Sequence, residues 1–451
     1  MSIDAPDQRA PRLKLLHDAL ESGTLQRVQR MVNSLHPAEI ADLLESLPPA
    51  EREVVWELVD TSSDGDVLVE LNEEVRAKLV GSMKVDELVA ATDGMDLDDL
   101  ADLVPDLPEA VTRQVIQSMD QQDRERLRSV MAYDEDTAGG LMDPDVVTVR
   151  PDVTLEVVLR YLRMRGELPT GTDALYVVNR FDRYVGYLYL SSLLTAPQNK
   201  TVAELMDSSV EGVPASIGAH EVANLFEVRD LVTAPVIDSD GRLLGRITID
   251  DVVDVIREEA EHSILSMAGL AEDEDMFAPV VTSSRRRAIW LGVNLATAFI
   301  AASVVGLFQS TIDQVVALAV LMPIVASMGG IAGSQTLTLI IRGVALGQVH
   351  SANSRWLMIR ELAVGVLNGV GWALVVAAAT ILWFDSWLLG GIIALALIIN
   401  LIVAALSGVL IPLLLQRMKI DPALAGSVVL TTVTDVVGFM VFLGLGALLL
   451  T

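Results

Sequence analysis

Beyond Ser284 the chain contains five apolar stretches, at about 288–308, 314–341, 361–384, 387–415 and 424–450. The hydrocarbon core of a bilayer takes about 20 apolar residues in helix. Each stretch therefore predicts a membrane-spanning helix, with length to spare for tilt. The rest of the chain is of another kind. The protein carries 32 Lys/Arg against 61 Asp/Glu, yet only eight and five of these lie from Ser284 onward, which leaves the preceding part with a net charge of −32. Such a surface repels nucleic acid and anionic headgroups and attracts cations. The chain has no cysteine, which excludes disulfides and thiolate metal sites.

The few basic residues of the apolar part set its orientation. Arg285, Arg286 and Arg287 precede the first span, Arg342, Arg355 and Arg360 lie between the second and third, and Arg417 and Lys419 between the fourth and fifth. The other two connections hold no Lys or Arg. All eight fall on one side, which the positive-inside rule makes cytoplasmic. The expectation is a multi-pass protein of the plasma (inner) membrane, with the N-terminal domains cytoplasmic and the C-terminus outside.

Polar residues within spans mark function. Asp435 lies in the middle of the fifth span, and Thr431 and Thr432, four and three residues earlier, share its helix face. A carboxylate flanked by hydroxyls suits hydrated Mg²⁺, which gives up its waters reluctantly. The second span contains Pro323, Gly329, Gly330, Gly333 and Gln335. These residues either break the helix and free carbonyls for a cation path, or let helices approach closely. Asn294, Asn368 and Asn400 are expected to hydrogen-bond between helices.

Two repeats organise the acidic half. Ile40, Ala41, Asp42, Leu43, Leu47 and Pro48 recur 60 residues later as Leu100, Ala101, Asp102, Leu103, Leu107 and Pro108. Helical spacing with a closing Pro predicts an all-α superhelical domain. The second repeat, 174–194 against 234–253, reads strand, turn, strand, helix, with Gly186 matching Gly245. After it, Asp251, Asp254, Glu258 and Glu261 recur every three or four residues. They repel one another along a helix face unless cations offset them.

The second repeat resembles paired cystathionine-β-synthase (CBS) domains. In that family a hydroxyl and a carboxylate hold a ribose, which implies an ATP-type site at Thr248 and Asp251. Tyr189 and Ser192 stand at those places in the first copy, so one nucleotide site is implied. The whole order resembles the MgtE family of magnesium channels. The supporting motifs are HPAEIADLLESLPPAER at 36–52, AGGLM at 138–142, GGIAGSQTLTLIIR at 329–342 and DPALAGSVVLTTVTD at 421–435. The resemblance implies a homodimer with Asp435 of both copies at the pore. It also implies cytoplasmic Mg²⁺ at Asp98, Asp102, Asp230, Asp251, Asp254 and Glu259, holding the pore shut. The chain departs from the family at Ile331 and Ser334, where Asn is frequent, and at His220, His262 and Ser263, where acids are frequent.

The expected protein is a multi-domain membrane protein. It has an acidic helical N domain (1–135), an α/β CBS pair (136–200 and 201–258), an acidic linking helix (250–283) and a transmembrane pore domain of five helices (284–451). The function read from it is Mg²⁺ uptake through a channel gated by cytoplasmic Mg²⁺, with ATP as a modulator. The alternatives are a non-conducting membrane-anchored sensor and a channel for Co²⁺ or Mn²⁺. No Walker motif and no convergent acid, base and nucleophile are present, so no enzyme is expected.

Overall fold

The structure, a computed structural model, describes residues 25–93, 95–270, 275–345, 348–349, 353–418 and 420–450, without the side chains of Ser263 and Met267. Residues 1–24 of the expected N domain, Lys419 and the Ser263 side chain lie outside the described residues. The chain forms two units, Met1–Ala260 with Asp273–Ala278, and Glu261–Glu272 with Pro279–Thr451.

Among the described residues, the first unit opens with nine short α-helices: α1 (Leu25–Val32), α2 (Pro37–Glu45), α3 (Pro49–Trp56), α4 (Asp64–Val69), α5 (Glu73–Ser82), α6 (Val85–Ala91), α7 (Leu97–Leu103), α8 (Glu109–Ser118) and α9 (Gln121–Val130). Their starts are written locally. Pro37 and Pro49 occupy the first turns of α2 and α3, where a missing N–H costs nothing. Asn72 and Asp120 accept from Val75 and Asp123 N–H as caps. The 60-residue repeat is structural. Ile40, Ala41, Leu43 and Leu47 of one copy, and Leu100, Ala101, Leu103 and Leu107 of the other, are all buried in one core.

Two matching three-stranded sheets follow. In the first, β1 (Thr148–Val149) runs parallel to β2 (Ala174–Val178), which pairs antiparallel with β3 (Tyr184–Tyr189). In the second, β4 (Val213–Pro214), β5 (Thr233–Ile237) and β6 (Leu243–Thr248) repeat this order. Helices α10 (Leu155–Arg165), α11 (Leu190–Thr195), α12 (Val202–Leu205) and α13 (Ala219–Arg229) lie between the strands in sequence. The repeated glycines have one job in both copies. A Cβ on Gly186 would stand 2.6 Å from Asp207 O, and one on Gly245 would stand 2.6 Å from Asp143 O. Each sheet thus admits a crossing backbone where only Gly fits.

Helix α14 (Ile249–Met267) leads out of β6. The linking helix predicted over 250–283 ends at Met267. Gly269 takes a φ of 73° just beyond it, and Pro279 caps the following helix. A left-handed Gly and an N-terminal Pro stop one helix and start another.

The second unit holds α15 (Val280–Leu307), α16 (Gln309–Gln314), α17 (Val316–Ala345), α18 (Ser354–Phe384), α19 (Trp387–Arg417) and α20 (Pro422–Leu450). Among the described residues, five of these are long and apolar enough to cross a membrane. Helix α19 is the most enclosed, packed on α17, α18 and α20. Helix α17 runs unbroken through Pro323 and its glycines, so of the two readings of that segment the close approach is realised. A Cβ on Gly329 would collide with Asn400 Nδ2, and one on Gly333 would meet Leu430 at 2.9 Å. With no hydrophobic drive between helices in lipid, such small-residue contacts do the packing.

Candidate functional site

Three places collect the residues singled out by the sequence. The first is on α20. Asp435 is half-buried, and among the described residues no side chain hydrogen-bonds to it. Thr431 Oγ1 donates to Ser427 O at 3.0 Å, and Thr432 Oγ1 donates to Val428 O at 2.7 Å. Each hydroxyl hydrogen is thus spent on the helix, and the oxygen lone pairs remain as acceptors beside the carboxylate. Nearby on the fold, Gly329 and Gly333 of α17 face α19 and α20. Pro323, Gln335 and Ile331 are exposed, and a Cβ on Gly330 would meet nothing within 4 Å. The glycines therefore divide into two packed ones and one on an open face.

Asn400 lies at 0% exposure and donates from Nδ2 to Val325 O of α17 at 2.9 Å, while its Oδ1 has no partner among the described residues. It is the interhelical group expected. Asn294 and Asn368 are exposed. Sequence reading passed over Glu361, a buried carboxylate near the start of α18 that accepts from Thr336 Oγ1 of α17 at 3.3 Å.

The second place lies within the first unit, where α7 approaches the start of α14. Burial, then the Asp143, Asp251 and Asp99 carboxylates, push Asp98 up to about 8. Among the described residues its Oδ1 has no hydrogen-bond partner. Burial and the Asp96, Asp251 and Asp102 charges raise Asp99 to about 7. Asp251 rises to about 6 because burial outweighs the hydrogen bonds from Thr248. Asp102, more open to solvent, is pushed to about 6 by loss of water on its protein side and by Glu135, Asp251 and Glu258, against the pull of Arg76. All the donors here are oxygens, a set that suits a hard divalent cation. Among the described residues no three acidic or histidine side chains close around a single point. A cation here would keep waters between itself and the carboxylates.

The other expected ligands are elsewhere. Asp254 sits on the exposed side of α14, 3.7 Å from Arg257. Asp230 is exposed at the end of α13 with a φ of 51°, and no hydrogen bond or ion pair joins it to the α7 acids. Glu259 pairs with His220 Nδ1 at 2.6 Å, and His262 Nε2 with Asp421 Oδ2 at 3.2 Å. Both histidines that depart from the family pattern therefore make carboxylate pairs. Asp99 and Asp143 were missed by the sequence reading. Asp99 had a signal, since it occupies the Glu39 position of the 60-residue repeat; Asp143 had none, lying 108 residues from Asp251.

The third place is the end of β6. Thr248 donates from N–H and Oγ1 to Asp251 Oδ2, at 3.1 and 2.8 Å. This caps α14 and leaves Asp251 Oδ1 as an acceptor. In the first copy Tyr189 and Ser192 stand at these places, and the strand that leads to them is rich in tyrosine. Tyr187 packs edge-on to Tyr176 and Tyr184, tilts against Tyr189, and donates to Thr233 O at 2.8 Å.

The family described as a divalent cation transporter (MgtE) matches residues 322–445. The MgtE intracellular N domain matches 35–136, and the CBS domain matches 138–199 and 202–258. The magnesium transporter MgtE of Thermus thermophilus is 30% identical over 440 residues, covering 96% of this chain and 98% of the relative. That of Bacillus subtilis is 27% identical and covers 94% of each chain. Among solved structures, the ATP complex of the cytosolic domain of the Mg²⁺ channel MgtE is 33% identical. It covers 53% of this chain and 98% of that one, with a TM-score of 0.48.

Proposed function

The chain belongs to the MgtE family of magnesium transporters and is not an enzyme, and on that premise we propose that it is a Mg²⁺ channel closed by Mg²⁺ from the cytoplasm. The observation that carries the conducting half is Asp435. A mid-span carboxylate without a protein partner cannot face lipid. Flanked by hydroxyl lone pairs, it offers a hydrated divalent cation a charge and acceptors for its waters. Asp435, Thr431, Thr432 and Ser334 are half-buried and Gln335 is exposed, so these polar groups of α17 and α20 are left partly open by the chain itself. A second copy of the chain is the protein that covers them and completes the pore. The eight basic residues orient the helices with both domains of the acidic half in the cytoplasm and the C-terminus outside.

The gate is the α7–α14 acid cluster. Bringing Asp98, Asp99, Asp102 and Asp251 together is unfavourable unless protons or cations neutralise them. Mg²⁺ held there through its waters favours the docked, closed arrangement, and its removal leaves repulsion to open it. Asp254, Glu259 and Asp230 stand outside this cluster and add to the sensor only through their charge, which draws cations to that surface. ATP at Thr248 and Asp251 would share Asp251 with Mg²⁺, so each ligand changes the affinity of the other. Tyr189 and Ser192 in the first copy leave one nucleotide site.

The test is Mg²⁺ flux into proteoliposomes, with internal Mg²⁺ varied. Asp435→Asn should reduce flux at least about tenfold, as expected for a loss of roughly 1.4 kcal/mol in the conducting interaction. Joint replacement of Asp98, Asp102 and Asp251 by Asn should leave flux intact and raise the Mg²⁺ needed to stop it. Undiminished flux in Asp435→Asn rejects the pore. A parent that conducts Co²⁺ or Mn²⁺ in preference to Mg²⁺ reassigns the cargo, and one that is folded and conducts nothing is a sensor.

A further inference from the structure

Four residues ahead of Pro279, the chain is held by a buried ion pair in the first unit. Asp275 and Arg52 lie 223 residues apart in sequence, with side chains only 1% and 2% exposed. The pair is bidentate: Nη1 donates to Oδ2 at 2.9 Å and Nη2 to Oδ1 at 3.1 Å. Arg52 is fixed before it meets the acid. Its Nε donates to Leu44 O at 2.9 Å, and Nη2 to Leu47 O at 3.0 Å, at the end of α2. A guanidinium held by two carbonyls at a helix C-terminus is a preorganised receptor for a carboxylate. Asp275 is equally engaged. Lys78 Nζ lies 3.3 Å from Oδ2, Phe277 N–H donates to Oδ1, and Asp275 N–H donates to Glu74 Oε2. Burial alone would raise the Asp275 carboxyl, but the Arg52, Phe277 and Lys78 contacts outweigh it and hold it below its usual range.

We infer that the N domain contains a carboxylate-binding site, built by Arg52 and Lys78, whose ligand is Asp275 of the same chain. The site needs no metal, since every charge in it is matched by protein. It therefore latches the segment that leads into α15 independently of the acid cluster. Removing either partner strands a buried charge, so the latch is either closed or the segment is released. This makes the N domain a direct handle on the start of the first span. The cation sensor then modulates a domain already tethered there.

The chain has no cysteine, so two introduced cysteines give unique spin labels. Val54 and Met276, 39% and 88% exposed, flank the latch. Distance distributions between labels at these positions are measured in the full-length protein, in EDTA and in millimolar Mg²⁺. The labelled parent should show one short, narrow distribution in both conditions. Asp275→Asn should lose it in both, and Arg52→Lys, which keeps the charge without the planar fork, should lose part of it. Loss of the short distribution from the parent in EDTA overturns the proposal, as does its survival in Asp275→Asn. Neither readout involves flux, so the channel reading stands or falls separately.

Discussion

At the scale of single residues, the transmembrane unit depends on one side chain of full polarity and two of none. Asn400 bridges α19 to α17 through Val325 O, and Gly329 and Gly438 make room for it: a Cβ on Gly438 would stand 2.8 Å from Asn400 Nδ2. Gly329→Ala should destabilise the detergent-solubilised protein by about 1–3 kcal/mol through overpacking. Asn400→Ala should cost about 1–2 kcal/mol for the lost interhelical bond. The double variant should be more stable than the sum of the two, because the shortened residue 400 admits the new methyl. Thermal unfolding of the four proteins measures this coupling, and strict additivity would show that Gly329 and Asn400 do not share a contact. The chain told part of this story. Asn400 and the glycines were visible as polar and small residues in apolar runs, but their meeting was not, because it joins positions 71 residues apart.

At the scale of elements, the acids of α7 and α14 add strongly to the pH dependence of the first unit, beside Asp64 of α4, which burial pushes up to about 6. Asp98, Asp99 and Asp251 have ordinary values near 3.8 and are raised to about 8, about 7 and about 6 in the fold. Between pH 4 and 8 the folded unit thus binds more protons than the unfolded chain. Its stability is fully present at low pH and falls as pH rises through this window, by at most about 1.4 kcal/mol per pH unit for each such proton. In EDTA, the unfolding temperature of the full chain's first transition should therefore decline from pH 5 to 8.5. Millimolar Mg²⁺ should flatten that decline by replacing protons on the carboxylates. A rising unfolding temperature in EDTA would mean that the acids are not crowded in solution. Element boundaries were read with mixed success for one reason. Apolar length fixed the spans to within a turn or two, but the first helix begins at Val280 because helix continues through Arg285–Arg287, outside the bilayer window. The linking helix stopped at Met267 because a single Gly in left-handed conformation outweighs the continued acidity of the segment.

At the scale of the whole molecule, the proposed pore needs a second copy of the chain against the polar residues of α17 and α20. Light scattering of the detergent-purified protein should give twice the 48.6 kDa of one chain. A monomer that still conducts would place the pore within a single copy. Architecture at this scale was largely legible. Hydropathy, charge partition and two repeats are one-dimensional signals, and each maps to physics that acts along the chain: bilayer thickness, the field that retains basic loops, and duplicated cores. The sequence by itself therefore determined five spans, a helical acidic domain and a paired α/β module. It also singled out Asp435, whose isolation from Lys and Arg is local. The tertiary structure alone decided which acids crowd together, so that Asp99 and Asp143 join Asp98 and Asp251 while Asp230 and Glu259 stand apart. It alone brought Arg52 to Asp275. Electrostatic environment and burial depend on distances in space, and no period or motif encodes a contact between residues 223 positions apart.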